Sequence, residues 1–136
     1  MTAFVLHPRL ASDKMFVADW ALSRVLLMDD ARFPWLVLVP QRPDLVEVHD
    51  LSTAEQSIFI AEISRASTAI KTLSRCEKIN IGALGNLVPQ LHVHVVARKQ
   101  GDAAWPGPVW GHGRLEPYSP DSRDAWLRKV TAALGA

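Results

Sequence analysis

Gln90-Leu91-His92-Val93-His94-Val95-Val96-Ala97-Arg98 is the stretch on which the reading of this chain turns. Successive side chains of a strand point to opposite faces, so Gln90, His92 and His94 line one side. Leu91, Val93 and Val95 bury the other, and the strand is expected to run from Leu91 to Arg98. Two imidazoles and an amide in a row make a polar ridge on an apolar strand. Burying such groups has a desolvation cost, so they need partners, and a ligand is one.

The neighbouring segments supply the rest of a sheet. Just upstream, Gly82-Ala83-Leu84-Gly85-Asn86 reads as a glycine-containing loop and Lys78 to Ile81 as a strand. Further back, Ser52 and Glu55 form a capping box that starts a helix at Thr53. Phe59, Ile63, Ala66, Ile70 and Leu73 lie along one stripe of it, while Glu62, Arg65 and Lys71 are expected to face solvent. Trp35 to Val39 is a continuous apolar run closed by Pro40, as suits a central strand buried on both faces. Met15 to Trp20 and Ser23 to Met28 read as two short strands, with Asp29 and Asp30 opening the turn that follows. Downstream, Pro106, Pro108 and Pro117 mark Gly101 to Pro117 as an irregular arm. Ser119-Pro120 then starts a final helix with Trp126, Leu127, Val130 and Leu134 on its buried side. Strands mostly in sequence with one long helix and a C-terminal helix define an α+β domain on an antiparallel sheet, a single domain over 1–136.

Bulk properties limit the function. The 136 residues carry a formal charge of +1, and no long run of Lys or Arg stands out, so a nucleic acid polymer is a poorly supported partner. A pocket for a small anion needs only a few donors. Cys76 is the sole cysteine and reads as a buried structural residue, so no intrachain disulfide forms. No basic region followed by a long apolar stretch opens the chain, and no window suits a membrane span, so a cytoplasmic protein is expected.

The ridge allows three chemistries. The histidines can be satisfied by backbone carbonyls on an edge strand. They can hold a metal, with His7, His49 and His112 as the other imidazoles, although none lies at a telling spacing. Or a neutral imidazole can attack phosphorus to form a phosphoramidate that water later cleaves. In that case the second histidine bonds the transferred group or protonates its leaving group, and the N–H groups of the loop meet the phosphoryl oxygens.

With these residues in view, the chain resembles the histidine triad (HIT) family, whose signature is His-x-His-x-His followed by two apolar residues. Gln90, His92, His94 and Val95-Val96 match it in register, with Gln in place of the first histidine. The segment Val37-Leu38-Val39-Pro40-Gln41-Arg42-Pro43, then His49-Asp50-Leu51 and the helix through Glu55, is similar to that of the family's dinucleoside polyphosphate hydrolases. The likeness covers about residues 15 to 100 and stops before the Trp105-to-Trp110 arm. It implies a nucleotide-binding hydrolase or transferase acting on a phosphoanhydride or phosphoramidate through a nucleotidyl adduct on His92. It implies further that His94 and Gln90 complete the catalytic set, that Asp29 contacts the ribose, and that Asn80, Gly85 and Asn86 line the phosphate site. No cofactor or protein-bound metal is implied, and a homodimer is. Gln90 cannot hold a proton as imidazolium does, and Leu87 stands where many members place a hydroxyl. The alternatives are a non-catalytic nucleotide-binding module and a metal-dependent enzyme using His92 and His94.

Overall fold

The apolar run ending at Pro40 forms a strand buried at every position, Trp35–Pro40. A computed structural model describes residues 3–135. The strand, β3, lies inside a five-stranded sheet with β1 (Lys14–Asp19), β2 (Ser23–Met28), β4 (Lys78–Gly82) and β5 (Val93–Arg98). Their order is β1-β2-β3-β5-β4, with each neighbouring pair antiparallel. The α+β expectation is met. The helices are α1 (Pro8–Ala11), α2 (Thr53–Ser74) and α3 (Pro120–Leu134), with one 3-10 turn at Val48–Asp50. No helix among the described residues is long and apolar enough to cross a membrane.

Both faces of the sheet are covered, which explains why β3 and β5 lack polar–apolar alternation in burial. On one face, α2 and α3 pack against Val25, Leu36, Leu38, Val93 and Val95. On the other, the N-terminal segment and the arm after β5 cover Leu26, Trp35, Val37, Val39 and Val96, through Leu10, Val109 and Trp110 among others. Arg98 fixes that arm. Its side chain is 2% exposed, and its guanidinium donates to both Asp102 carboxylate oxygens, to Asn80 Oδ1 and to the Gly107 carbonyl.

α2 begins at Thr53 with the capping box formed: Ser52 Oγ accepts from the Glu55 amide, and Glu55 accepts from the Ser52 amide. Arg65 and Lys71 are exposed, but Glu62 is buried. Its carboxylate accepts from the amides of Leu22 and Ser23, the turn joining β1 and β2, at 3.0 and 2.9 Å. A carboxylate with two backbone donors can be buried where an unpartnered one cannot.

β5 is shorter than the expected Leu91–Arg98 and starts at Val93. Leu38 pairs with Val93, so the same register would set Pro40 opposite Leu91, and proline has no N–H to continue a ladder. Gln90 and His92 therefore precede the strand, with the Leu91 amide donating to the Leu45 carbonyl.

Candidate functional site

The two histidines of the ridge sit on the arm-facing side of the sheet, both nearly buried, with ring centroids 5.1 Å apart. Their Nδ1 atoms have different partners. His92 Nδ1 lies 2.7 Å from the Gln90 carbonyl. A carbonyl only accepts, so this nitrogen carries the proton and Nε2 keeps the lone pair. His94 Nδ1 lies 2.9 Å from Trp35 Nε1, an indole N–H that only donates. The neutral His94 ring therefore carries its proton on Nε2. The pair presents one basic nitrogen, on His92, and one N–H donor, on His94.

Burial, above all, depresses the basicity of both rings. For His92 the Gln90 carbonyl opposes the effect and the Lys14 charge adds to it. For His94, the neighbouring His92 and Lys14 add further, and its pKa falls to about 3. At neutral pH His94 is an uncharged hydrogen-bond donor. Trp35 and Trp110 meet it edge-on, each with centroids 5.6 Å away. Trp110 packs so tightly over Gly82 that a Cβ there would fall 2.8 Å from its ring.

His92 opens onto a cleft of about 600 Å³ bordered by Arg9, Leu10, Asp13 and Lys14 on one side and the loop Leu84–Val88 on the other. Gly85 and Asn86, which the resemblance implies line a phosphate site, stand in that wall beside His92. Gly85 has φ +72°, a left-handed conformation that suits glycine. Leu87, at 83% exposure, stands on the rim.

The other expected residues lie elsewhere. Asn80 does not border the cleft, and its Oδ1 accepts from Arg98. Asp29 is also absent from the walls, and its carboxylate accepts from the Tyr118 amide. Gln90 is next to His92 in space, but its amide turns to the chain's N-terminal segment. Oε1 accepts from the His7 amide and Nε2 donates to the Val5 carbonyl, at 2.8 and 2.9 Å. That two-way pairing ties down the segment leading to Arg9 and Lys14. His49 is exposed on the 3-10 turn, and His7 caps α1. Among the described residues, no group of three or more His, Cys, Asp or Glu is placed to hold a metal ion. Arg9, Asp13 and Lys14 are the site residues that sequence reading missed. A basic residue at the start of a strand carries no motif, and only the path of the N-terminal segment brings these three to His92.

Comparison with known proteins bears on the family and the fold. Residues 9–101 match the family described as the HIT domain. Over its whole length the chain is similar to a histidine triad protein from Bradyrhizobium japonicum. The two share 47% identity and a TM-score of 0.94, with 98% of this chain and 99% of that one covered. A histidine triad protein from Sinorhizobium meliloti is 44% identical, with a TM-score of 0.92 over 96% of this chain and 97% of that one. The chain is also 39% identical over 74 residues to AP-4-A phosphorylase of Mycobacterium tuberculosis, covering 50% of this chain and 37% of that protein. It thus spans well under half the length of that relative.

Proposed function

The chain belongs to the HIT domain family, and on that premise we propose that it binds a nucleotide and hydrolyses or transfers its nucleotidyl group through a covalent intermediate on His92. The observation that carries this reading is the fixed tautomer of His92 in the cleft wall. Nδ1–H is held by the Gln90 carbonyl, and burial keeps the ring neutral with Nε2 free. Nε2 attacks phosphorus, the P–N bond forms, and the bond to the leaving group breaks, that group taking the electron pair. The ring becomes cationic, and the Gln90 carbonyl that accepts from Nδ1–H stabilises its charge. Water, or another acceptor hydroxyl, then attacks phosphorus and gives up its proton to solvent, the P–N bond breaks, and its electron pair returns to Nε2. His94 Nε2–H and the amides of the Gly85–Asn86 turn are the donors for phosphoryl oxygens. His94 does not store a proton for the leaving group in this scheme, because its depressed basicity keeps the ring neutral.

Substrates on this reading are phosphoanhydrides such as dinucleoside polyphosphates, whose phosphate departs as an anion, or nucleoside phosphoramidates, whose nitrogen takes a proton from solvent and departs as the amine. A non-catalytic nucleotide-binding module is the second reading, favoured by Gln90, whose amide is engaged with Val5 and His7 and cannot act as an acid. Gln90 then contributes by position alone, through its carbonyl to His92 and its amide to the N-terminal segment. Asp29 and Asn80 do not line the cleft beside His92, and each holds another part of the chain, Asp29 the Tyr118 amide and Asn80 the Arg98 guanidinium. We propose in addition that two copies associate.

The two readings separate on the intermediate. Mixing the protein with an adenylated substrate and quenching in alkali, where phosphoramidates survive, is expected to leave AMP on the peptide containing His92. His92→Ala is expected to lose both adduct and turnover. An adduct on His94 would refute the assignment of the nucleophile, and nucleotide binding without adduct or turnover in the unaltered protein would leave the binding module.

A further inference from the structure

We infer that Lys14 is the side chain that grips the phosphate of the substrate, and that Asp13 holds its ammonium while the cleft is empty. The inference rests on the cleft being the phosphate site.

Lys14 is an unusual lysine. Its side chain is 5% exposed, although lysines are rarely buried without being fully paired. Its one hydrogen-bond partner among the described residues is Asp13 Oδ1 at 2.7 Å, which engages one of three ammonium N–H groups. Removing an ammonium from water is costly, and one carboxylate repays it only in part. The pair contributes little to the fold, because Asp13 and Lys14 are adjacent in sequence and their pairing ties no distant segments together. Asp13 itself is 44% exposed.

The site around it makes sense of that arrangement. Both residues border the same cleft as His92, together with Arg9, which has no ion pair among the described residues. The charged and titratable groups facing Lys14 are Arg9 and Asp13 on its own segment and the imidazoles of His92 and His94. Its charge is felt at both His92 and His94. No acidic residue of the loop Leu84–Val88 competes for it. A phosphate entering beside His92 meets an ammonium with two N–H groups available, already desolvated and held in place by an exposed carboxylate. Charge-assisted bonds to phosphate are among the stronger ones, so the anion draws the ammonium from Asp13 or shares it.

Inorganic pyrophosphate is the probe, because its binding does not depend on the nucleoside. In calorimetry, Lys14→Met is expected to weaken pyrophosphate binding by about tenfold to a hundredfold, the range of one charge-assisted hydrogen bond. Lys14→Arg is expected to retain most of it, and Asp13→Asn to bind severalfold tighter, since the competing carboxylate is gone. By NMR, the His92 ring in Lys14→Met is expected to titrate closer to the ordinary imidazole value, as loss of a neighbouring positive charge requires. A change within about twofold for Lys14→Met would overturn the inference. So would weaker or unchanged binding by Asp13→Asn, or no pyrophosphate binding by the unaltered protein at millimolar concentration. Should Lys14→Met fail to fold, the exposed-site variant Asp13→Asn decides alone. Binding of pyrophosphate but not AMP would uphold Lys14 while refuting the nucleotide reading.

Discussion

His92 and His94 stand two residues apart, yet one Nδ1 donates to a carbonyl and the other accepts from an indole. The alternation of Gln90, His92 and His94 told which faces they share but not which tautomers they hold. Those depend on Trp35, far away in sequence, and on a main-chain carbonyl that no pattern encodes. The environment also fixes the pH behaviour. Both rings are less basic when folded than the ordinary value of 6.5, and His94 falls to about 3. Below pH 6.5 the unfolded chain takes up protons that the folded chain refuses. Stability is therefore fully present above that value and is lost as the pH falls, for His94 by up to about 1.4 kcal/mol per unit down toward pH 3, and for His92 until its own lowered pKa is passed. In urea titrations at about pH 7 and about pH 5, the unaltered protein is expected to lose about 2 kcal/mol more than His94→Phe does. Equal losses would show that His94 is not held neutral.

At the scale of elements, β1, β2, β3, α2 and α3 were legible because capping chemistry and apolar periodicity are local properties. Thr53 and Pro120 begin their helices where Ser52 and Ser119 can cap them. What failed was an inference from residue type. Glu62 lies three residues after Phe59 and four before Ala66, so its position belongs to the buried stripe, while its charge argued for solvent. The outcome depended on the β1–β2 turn, whose amides of Leu22 and Ser23 needed an acceptor. Glu62→Leu leaves both without one and is expected to cost about 2–5 kcal/mol in urea denaturation. Glu62→Gln, which keeps one carbonyl oxygen, is expected to cost distinctly less. A loss under about 1 kcal/mol for Glu62→Leu would mean that water replaces the carboxylate at the turn. The start of β5 was misplaced for a related reason: Pro40, on a different strand, ends its ladder.

Across the whole molecule, the cleft has two walls of different origin. The Leu84–Val88 wall adjoins the motif and was legible with it. The Arg9–Lys14 wall comes from the N-terminal segment, pinned by Gln90, and long-range placement of that kind leaves no local signature. The sheet ends on β4, an edge strand with Ile81 at 53% exposure, and beside it α2 shows Ile60 at 60%. These residues and Val48 border an apolar groove of about 290 Å³. Exposed apolar surface along an unpaired edge is what a second copy would cover. Sedimentation at micromolar concentration is expected to give a dimer, and Ile60→Asp with Ile81→Asp a monomer. A monomeric unaltered protein would refute the pairing.

Two of the five indoles, Trp35 and Trp110, flank His94, and Trp35 hydrogen-bonds it. Trp20 and Trp126 belong to the opposite core, and Trp105 lies by Arg98. The site therefore carries a built-in optical probe. Protonation of His94 at Nδ1 removes the acceptor of the Trp35 N–H and sets a cation against two emitting rings. The charge state of the ring can thus be followed in the protein's own ultraviolet emission, with no label attached.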